Sequence, residues 1–185
     1  MSTVALATLG CKVNQCESAY LEEKLTQADF LIRPFTDRAD LYCINTCAVT
    51  NRAAMQSRQL IRRALRQNPE AEVVVMGCYS QIAAEEIAAI PGVTHILGTA
   101  EKLSLLDYVA CPEQDQPPCV HLNDARTAPA PQPLVFSGFS HRTRAFLKVQ
   151  DGCDAFCSYC IVPYARGRSR SINLESVLGQ VARFL

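Results

Sequence analysis

The first part of the chain alternates short apolar runs with stretches whose apolar residues recur every three or four positions. The apolar runs predict buried strands at residues 4–9, 41–45, 72–76 and 95–97. The helical spacing predicts helices at residues 17–28, 52–67, 82–90 and 102–109. Strands that alternate with helices are typical of βαβ units. We therefore predict an α/β fold for residues 1–110, with an open, mainly parallel sheet and flanking helices.

Two further regions follow this predicted domain. Residues 111–140 contain prolines that break regular elements, so we predict an extended linker; they are Pro112, Pro117, Pro118, Pro129, Pro131 and Pro133. Residues 141–185 are predicted to form a strand at 145–149, a cysteine-rich loop and a helix that begins after the N-cap Asn173. One βα unit cannot bury its own apolar face, so we expect this second domain to be incomplete.

Composition narrows the class of protein. The 185 residues are 49% hydrophobic and carry no net charge, so bulk charge favours no particular partner. The N-terminus lacks the features of an export signal, and no apolar run approaches the roughly 20 residues that cross a bilayer. We expect a cytoplasmic protein with no membrane partner. In that compartment the ten cysteines favour metal binding over disulfides.

Three of these cysteines form a compact motif near the C-terminus. Cys153, Cys157 and Cys160 have C-x3-C-x2-C spacing. Three thiolates on one loop can bind three irons of a cubane and leave the fourth iron open to a small molecule. A structural zinc loop completed by a distant ligand is the alternative, although zinc motifs usually combine paired cysteines or cysteines with histidines. The spacing favours the iron–sulfur cluster.

Three more cysteines occupy equivalent positions in the predicted sheet. Cys11, Cys47 and Cys78 each follow a predicted strand, close to the start of a helix. The carboxyl ends of parallel strands meet at one edge of a sheet, where ligands usually bind, and helix N-termini there favour thiolates. We therefore predict a second metal-binding trio, with burial as small core residues as the alternative. No metal-binding role is predicted for the other cysteines. We expect Cys16 and Cys43 to pack in the core, and no geometry supports a role for Cys111 and Cys119, which lie in the predicted linker.

The segments around both trios resemble the radical S-adenosylmethionine methylthiotransferases. The similar segments are TLGCKVNQ at residues 8–15, NTCAVT at 45–50 and VMGCYSQ at 75–81, together with the C-terminal cysteine loop. The opening LGCKVNQ is similar to the branch that acts on N6-threonylcarbamoyladenosine in tRNA, although that branch usually has an aromatic residue where Cys16 stands. The resemblance implies a methylthiotransferase N-terminal domain followed by the first βα unit of a radical S-adenosylmethionine partial barrel.

The resemblance also implies cofactors and partners. Two [4Fe–4S] clusters are implied, one at Cys11, Cys47 and Cys78 and the other at Cys153, Cys157 and Cys160, the second of which binds S-adenosyl-L-methionine. The implied activity is a transferase that adds a 2-methylthio group to N6-threonylcarbamoyladenosine in the anticodon stem-loop of tRNA. A flavodoxin or ferredoxin is implied as the electron donor.

Several alternatives stay open at this point. Within the same family, the substrate could be isopentenyladenosine in tRNA or a ribosomal-protein aspartate. Outside enzyme chemistry, the cysteines could serve an iron–sulfur electron-transfer or cluster-carrier protein, or a zinc-stabilised RNA-binding module.

Basic residues form two groups that could bind RNA phosphates. The first lies on the helix predicted at residues 52–67 and consists of Arg52, Arg58, Arg62, Arg63 and Arg66. The second brackets the cysteine loop and consists of Arg142, Arg144, Lys148, Arg166, Arg168 and Arg170. A solvated face is the alternative for the first group. For the second group, the alternatives are neutralising an anionic cluster or holding a cofactor carboxylate.

Overall fold

The computed structural model describes residues 1–109, 117–128, 130–139 and 144–185. Its strands are β1 (Thr3–Thr8), β2 (Leu31–Arg33), β3 (Leu41–Thr46), β4 (Glu72–Gly77), β5 (His95–Leu97), β6 (Cys119–His121), β7 (Gln150–Asp151) and β8 (Arg170–Ser171). Its α-helices are α1 (Lys12–Gln27), α2 (Asn51–Gln67), α3 (Cys78–Ile82), α4 (Ala84–Ala88), α5 (Leu105–Tyr108), α6 (Val162–Arg166) and α7 (Leu174–Phe184), with a 3₁₀ turn at Glu101–Ser104. The predicted α/β class is confirmed.

Six strands form one parallel sheet in the order β2-β1-β3-β4-β5-β6. Every residue of β3 is buried, and so is the apolar run of β4, because helices cover both faces of the sheet. On one face Ile61 of α2 packs in the core with alternate residues of the strands, and on the other face Leu21 and Leu25 of α1 do so. This arrangement places the carboxyl ends of β1, β3 and β4 side by side.

Helix α1 begins at Lys12, earlier than the predicted start at residue 17. The cause is that its first turns bury polar rather than apolar side chains, so the hydrophobic spacing does not reveal them. Asn14 is fully buried and its Nδ2 donates to the carbonyl oxygens of Leu9 at 2.8 Å and Thr46 at 2.9 Å. Asn14 therefore joins α1 to the ends of two strands.

The segment 111–140, predicted as an extended linker, contains the strand β6. β6 pairs in parallel with β5, so that Cys119 lies opposite His95 and His121 lies opposite Leu97. The expectation that prolines exclude regular structure was wrong here, because Pro117 and Pro118 precede the strand and leave its pairing groups intact. The predictions made for Cys111, Pro112, Pro129 and Arg142 fall outside the described residues. The domain limits at 110 and 140 stay predictions.

Residues 145–149 do not form the predicted strand. The pairing lies just beyond them, where β7 and β8 form a short antiparallel pair. Residues 145–149 turn to α1 instead: Lys148 Nζ binds Glu17 Oε1 at 2.7 Å, and Cys16 Sγ donates to the carbonyl of Phe146 at 3.3 Å. In α7 the side chain of Asn173 accepts a hydrogen bond from the backbone N–H of Ser176, which confirms the predicted N-cap.

Aromatic side chains connect the C-terminal region to α1. Phe136 meets Phe139 and Phe184 edge to face, with ring centroids 5.4 and 5.3 Å apart. Cys16 is buried in this cluster. Gln180 of α7 also holds the backbone of Phe136, donating to its carbonyl at 2.8 Å. The residues after β6 therefore share a core with the helices of the sheet. Within the described ranges, no helix combines the length and the apolar character needed to span a membrane.

Candidate metal centre

The sheet-edge trio consists of Cys11, Cys47 and Cys78, and each cysteine follows one of three neighbouring parallel strands. Cys11 is the N-cap of α1, Cys47 comes directly after β3, and Cys78 is the first residue of α3. The register pairs Thr46 with Gly77, so Cys47 and Cys78 leave the sheet at the same level. The structure therefore brings together the three cysteines that the sequence predicts at this edge.

Gly10 shows how closely the backbone before Cys11 approaches Cys47. Its φ is +90°, in the left-handed region that favours glycine. A Cβ at this position would lie 2.6 Å from both Cβ and Sγ of Cys47. A side chain at position 10 would displace Cys47. Glycine therefore allows the backbone that precedes Cys11 to pack directly against the Cys47 side chain.

A Gly10→Ala variant is expected to lower the free energy of unfolding and, if the sheet-edge trio binds the cluster predicted from the sequence, to reduce the iron content. The positive φ alone costs about 1–3 kcal/mol for a residue with a side chain, and the methyl group would displace Cys47. Urea unfolding and iron analysis of the full-length gene product measure the two effects. Gly179→Ala is the matched control, because a Cβ there meets nothing within 4 Å and alanine favours the interior of α7. Equal iron content in both variants would contradict the prediction.

The three thiols differ in exposure. Cys11 is exposed, whereas Cys47 and Cys78 are buried. Burial raises the pKa of the Cys47 thiol, and the nearby Cys78 and Cys11 raise it further. The backbone N–H of Val49 and the Arg166 guanidinium lower the same pKa. The Cys47 thiol is therefore close enough to both partners to interact with them electrostatically, and it has two groups that favour its thiolate form.

Cys16 and Cys43 pack in the core, as predicted. Cys43 is fully buried in the middle of β3, and burial raises the pKa of its thiol far above the ordinary value. Burial and the adjacent Glu17 carboxylate raise the pKa of Cys16 to about 11.

A buried ionic network lies beside the sheet-edge trio. Its centre is the fully buried Glu17, whose carboxylate binds Lys102 at 2.6 Å, Lys148 at 2.7 Å and Arg166 at 3.0 Å. Asp151 supplies a second carboxylate, 2.7 Å from Lys148 Nζ and 2.9 Å from Arg166 Nη1. The network joins α1, the 3₁₀ turn and the segments that flank the C-terminal cysteine loop.

Glu17 and Arg166 keep their charges despite burial, whereas burial lowers the pKa of Lys102 and the Glu17 carboxylate opposes that effect. Burial would raise the pKa of Glu17, but the surrounding cations hold it well below the ordinary value. Burial likewise opposes the charge on Arg166, yet Glu17 and Cys78 raise its pKa well above the ordinary value. Three cations thus face two carboxylates. The excess positive charge adjoins the trio, because Arg166 Nε donates to Cys78 Sγ at 3.3 Å.

The C-terminal trio lies on the loop between β7 and α6. Backbone bonds fold this loop: the N–H of Cys153 donates to the carbonyl of Gly167 at 3.1 Å, and that of Cys160 to Cys157 at 2.9 Å. Cys157 is exposed, and the other two are partly exposed. Gly152 has φ +73°, and a Cβ there would lie 2.0 Å from the carbonyl oxygen of Arg168. The loop is therefore tightly anchored at its base and open to solvent at its cysteines.

The predicted phosphate-binding residues fall into three classes by exposure. Arg52, Arg62, Arg63, Arg66, Arg144 and Arg168 are exposed. Arg58 and Arg170 are half-buried: Arg58 contacts Glu86 at 3.2 Å and the Tyr79 hydroxyl at 2.6 Å, and Arg170 Nη2 donates to the carbonyl of Arg166 at 2.7 Å. Lys148 and Arg166 are buried in the ionic network, so the prediction that they reach RNA was wrong. Neutralising a buried anionic centre is the alternative that suits Arg166.

Sequence reasoning missed Glu17 and Lys102. Neither residue lies in a motif that the sequence marks as chemical, and the pair that they form spans most of the N-terminal domain. The sequence offered one weak signal: Glu17 follows Cys16 and stands among other polar residues, Asn14 and Ser18. In the structure these polar residues are buried.

Comparisons with known proteins agree with this geometry. Residues 3–98 match the family described as Uncharacterized protein family UPF0004. The chain is 42% identical over 185 residues to the Threonylcarbamoyladenosine tRNA methylthiotransferase MtaB of Bacillus subtilis. The aligned region covers 100% of this chain and 41% of the relative. It is 39% identical over 182 residues to the protein of that name from Aquifex aeolicus, at 96% and 43% coverage. A tRNA-2-methylthio-N(6)-dimethylallyladenosine synthase of Porphyromonas gingivalis is 31% identical over 183 residues, at 95% and 39% coverage.

Through its UPF0004 region and these relatives, the chain belongs to the methylthiotransferase family. Within that family it lies in the MtaB branch, so the branch predicted from LGCKVNQ is confirmed. The chain spans about two fifths of the length of these relatives. Membership of the family implies iron–sulfur clusters and S-adenosyl-L-methionine.

The residues at the sheet edge suit an anionic, sulfur-ligated cluster. Three thiols from neighbouring strands supply the soft ligands that iron–sulfur clusters require. Gly10 removes a side chain that would fill the space beside Cys47, and the excess positive charge of the ionic network offsets the negative charge of thiolates. The donor set and its surroundings therefore agree with the cofactor that the family implies.

Proposed function

We propose that the protein is a radical S-adenosylmethionine methylthiotransferase that adds a 2-methylthio group to N6-threonylcarbamoyladenosine beside the anticodon of tRNA. The observation that carries this proposal is the convergence of Cys11, Cys47 and Cys78 at one sheet edge, in a chain that has a second cysteine trio on a separate loop. The two relatives at 42% and 39% identity bear the name of this activity.

In this proposal each trio holds one [4Fe–4S] cluster and leaves one iron without a protein ligand. Cys11, Cys47 and Cys78 bind the first cluster; Cys153, Cys157 and Cys160 bind the second, at which S-adenosyl-L-methionine is also held. When bound, these groups supply the radical and sulfur-transfer chemistry. We further propose that residues 1–110 form the first cluster domain, 111–140 a connection and 141–185 the start of the second domain.

The chain's own residues position and shield these groups. Arg166 Nε donates a hydrogen bond to Cys78 Sγ, which orients that sulfur and places positive charge beside it. Cys47 is only 4% exposed, so its side chain is shielded from water. The exposed Cys157 and the 89% exposed Tyr159 leave the second loop accessible to a small molecule. Exposed arginines of α2 offer positive charge to the phosphates of tRNA, and a flavodoxin or ferredoxin is the proposed electron donor.

An electron-transfer or cluster-carrier protein is the non-enzymatic alternative. Such a protein needs clusters closed by four protein ligands. Cys16 is the nearest additional cysteine in the sequence of α1, but its thiol donates to the carbonyl of Phe146. The open-iron proposal is therefore favoured. Among substrates, identity of 42% to the MtaB relative against 31% to the dimethylallyladenosine synthase favours N6-threonylcarbamoyladenosine.

Mass spectrometry of tRNA nucleosides from cells that lack the gene tests this function. We expect 2-methylthio-N6-threonylcarbamoyladenosine to disappear and N6-threonylcarbamoyladenosine to accumulate, and the full-length gene should restore the first nucleoside. Loss of the methylthio group from isopentenyladenosine instead would assign the protein to the other tRNA substrate. Unchanged tRNA nucleosides would contradict both assignments.

A further inference from the structure

Three possible metal ligands lie together on the outer strands of the sheet, apart from both cysteine trios. They are His95 of β5 and Cys119 and His121 of β6, and one ligand atom from each lies within 4.8 Å of the others. The parallel register sets Cys119 directly opposite His95. His121 lies two positions further along β6 and so shares the face of Cys119. His95 and Cys119 begin their strands, whereas the sheet-edge trio follows the ends of its strands.

His95 is the buried member of this group and has one ring nitrogen without a partner. Its side chain is 7% exposed, and Nε2 lies 3.0 Å from Glu72 Oε1. Nδ1 has no hydrogen-bond partner among the described residues. A buried polar atom usually has a partner, so an unpartnered ring nitrogen in a residue that is grouped with a thiol and a second imidazole points to a ligand.

The chemistry of the donor set selects the class of metal. Two imidazoles and a thiolate suit zinc and other late first-row divalent ions, whereas calcium and magnesium prefer oxygen ligands. Three protein ligands leave a fourth tetrahedral position for water. Glu72 Oε1 lies 3.0 Å from His95 Nε2 and has no hydrogen-bond partner among the described residues, so it is the nearby carboxylate that can accept from the second nitrogen of a metal-bound His95.

We propose that His95, Cys119 and His121 bind one Zn²⁺ ion, with Glu72 as the positioning residue for His95. The ion connects β6 to β5, which are paired over only three residues each. It fixes the outer edge of the sheet and takes no part in holding either iron–sulfur cluster. The thiol of Cys119 is exposed, so metal reaches the site without unfolding of the sheet.

Zinc analysis of the anaerobically reconstituted full-length gene product tests the site. After incubation with Zn²⁺ and removal of weakly bound metal, we expect one zinc per chain in addition to the iron. Cys119→Ser and His121→Asn should each weaken zinc binding more than about 100-fold in competition with a chromophoric chelator, and Glu72→Gln about 10- to 100-fold. Val120→Ala is the matched control, because Val120 belongs to the same strand but lies on its opposite face.

The outcomes separate a binding site from a chance grouping. Zinc content that is the same in Cys119→Ser, His121→Asn and Val120→Ala would overturn the proposal. If His121→Asn fails to fold, the exposed Cys119→Ser still decides, and its iron content shows whether the clusters are intact. X-ray absorption at the zinc edge should show two nitrogen ligands and one sulfur ligand, and a shell of three or four sulfurs would place the zinc in a cysteine trio and refute the site.

Discussion

A Cys47→Ala variant of the full-length gene product is expected to lose tRNA methylthiolation while it still cleaves S-adenosylmethionine reductively. Cys47 supplies the middle thiol of the sheet-edge trio and is only 4% exposed, so no solvent-side group can replace it. The C-terminal trio lies on its own loop and keeps its three cysteines, which we propose as ligands of the second cluster. Iron should fall from about eight to about four atoms per chain, which anaerobic reconstitution and iron analysis measure directly.

Cys43→Ala is the matched control for this variant. Cys43 is buried within β3, the strand that Cys47 directly follows, and its thiol is held neutral by burial. We expect that variant to keep its full iron content and its methylthiolation. Cys157→Ala should give the converse of Cys47→Ala, with loss of reductive cleavage. Retention of methylthiolation and of all iron in Cys47→Ala would rule out the division of labour between the trios.

Glu17→Gln is expected to cost about 3–5 kcal/mol in the free energy of unfolding, because it leaves buried cations without their central anion. Glu17 is 0% exposed and contacts Lys102, Lys148 and Arg166. The amide keeps the size of the side chain, so the loss reports charge rather than packing. Urea unfolding of the full-length gene product measures it, and Asp124→Asn, which breaks an exposed pair with Arg126, should produce no measurable change.

The same carboxylate predicts a dependence of stability on pH. The folded pKa of Glu17 lies well below its ordinary value of 4.5, because Lys102, Arg166 and Lys148 together outweigh the opposing effect of burial. Its contribution is therefore fully present above that ordinary value and is lost as pH falls towards the folded pKa. Unfolding midpoints should decline on acidification below about pH 4.5, and Glu17→Gln should flatten this decline. Parallel acid limbs in both proteins would contradict the assignment.

The sheet and its cysteine edge could be predicted because both leave local signals in the sequence. Residues 72–76 form an uninterrupted apolar run, and the structure places β4 there with both faces covered. Cys11, Cys47 and Cys78 each follow such a strand, and parallel topology alone brings these positions together. The cluster-binding role of either trio stays a prediction, since a position at the sheet edge does not identify the bound group.

The ionic network and β6 could not be predicted, for two physical reasons. Glu17 and Arg166 meet through tertiary packing, and a single buried pair between distant residues has no period in the sequence. β6 is only three residues long, and its central residue Val120 is 48% exposed. The strand therefore has no buried apolar run that the sequence could reveal, and it is defined by its pairing with β5. The prolines around β6 indicated an irregular segment. They did not indicate that the backbone N–H and C=O groups of Cys119–His121, which follow Pro118, are able to pair.

The two trios also differ in how far apart their members lie along the chain, which imposes an order on biogenesis. Cys153, Cys157 and Cys160 are neighbours in sequence, so no pairing of the sheet is needed to bring their thiols together. Cys11, Cys47 and Cys78 become neighbours only when β1, β3 and β4 have paired, so metal capture at that edge is coupled to folding. Under the proposed function, the cluster at this edge is therefore inserted only after the three strands have paired.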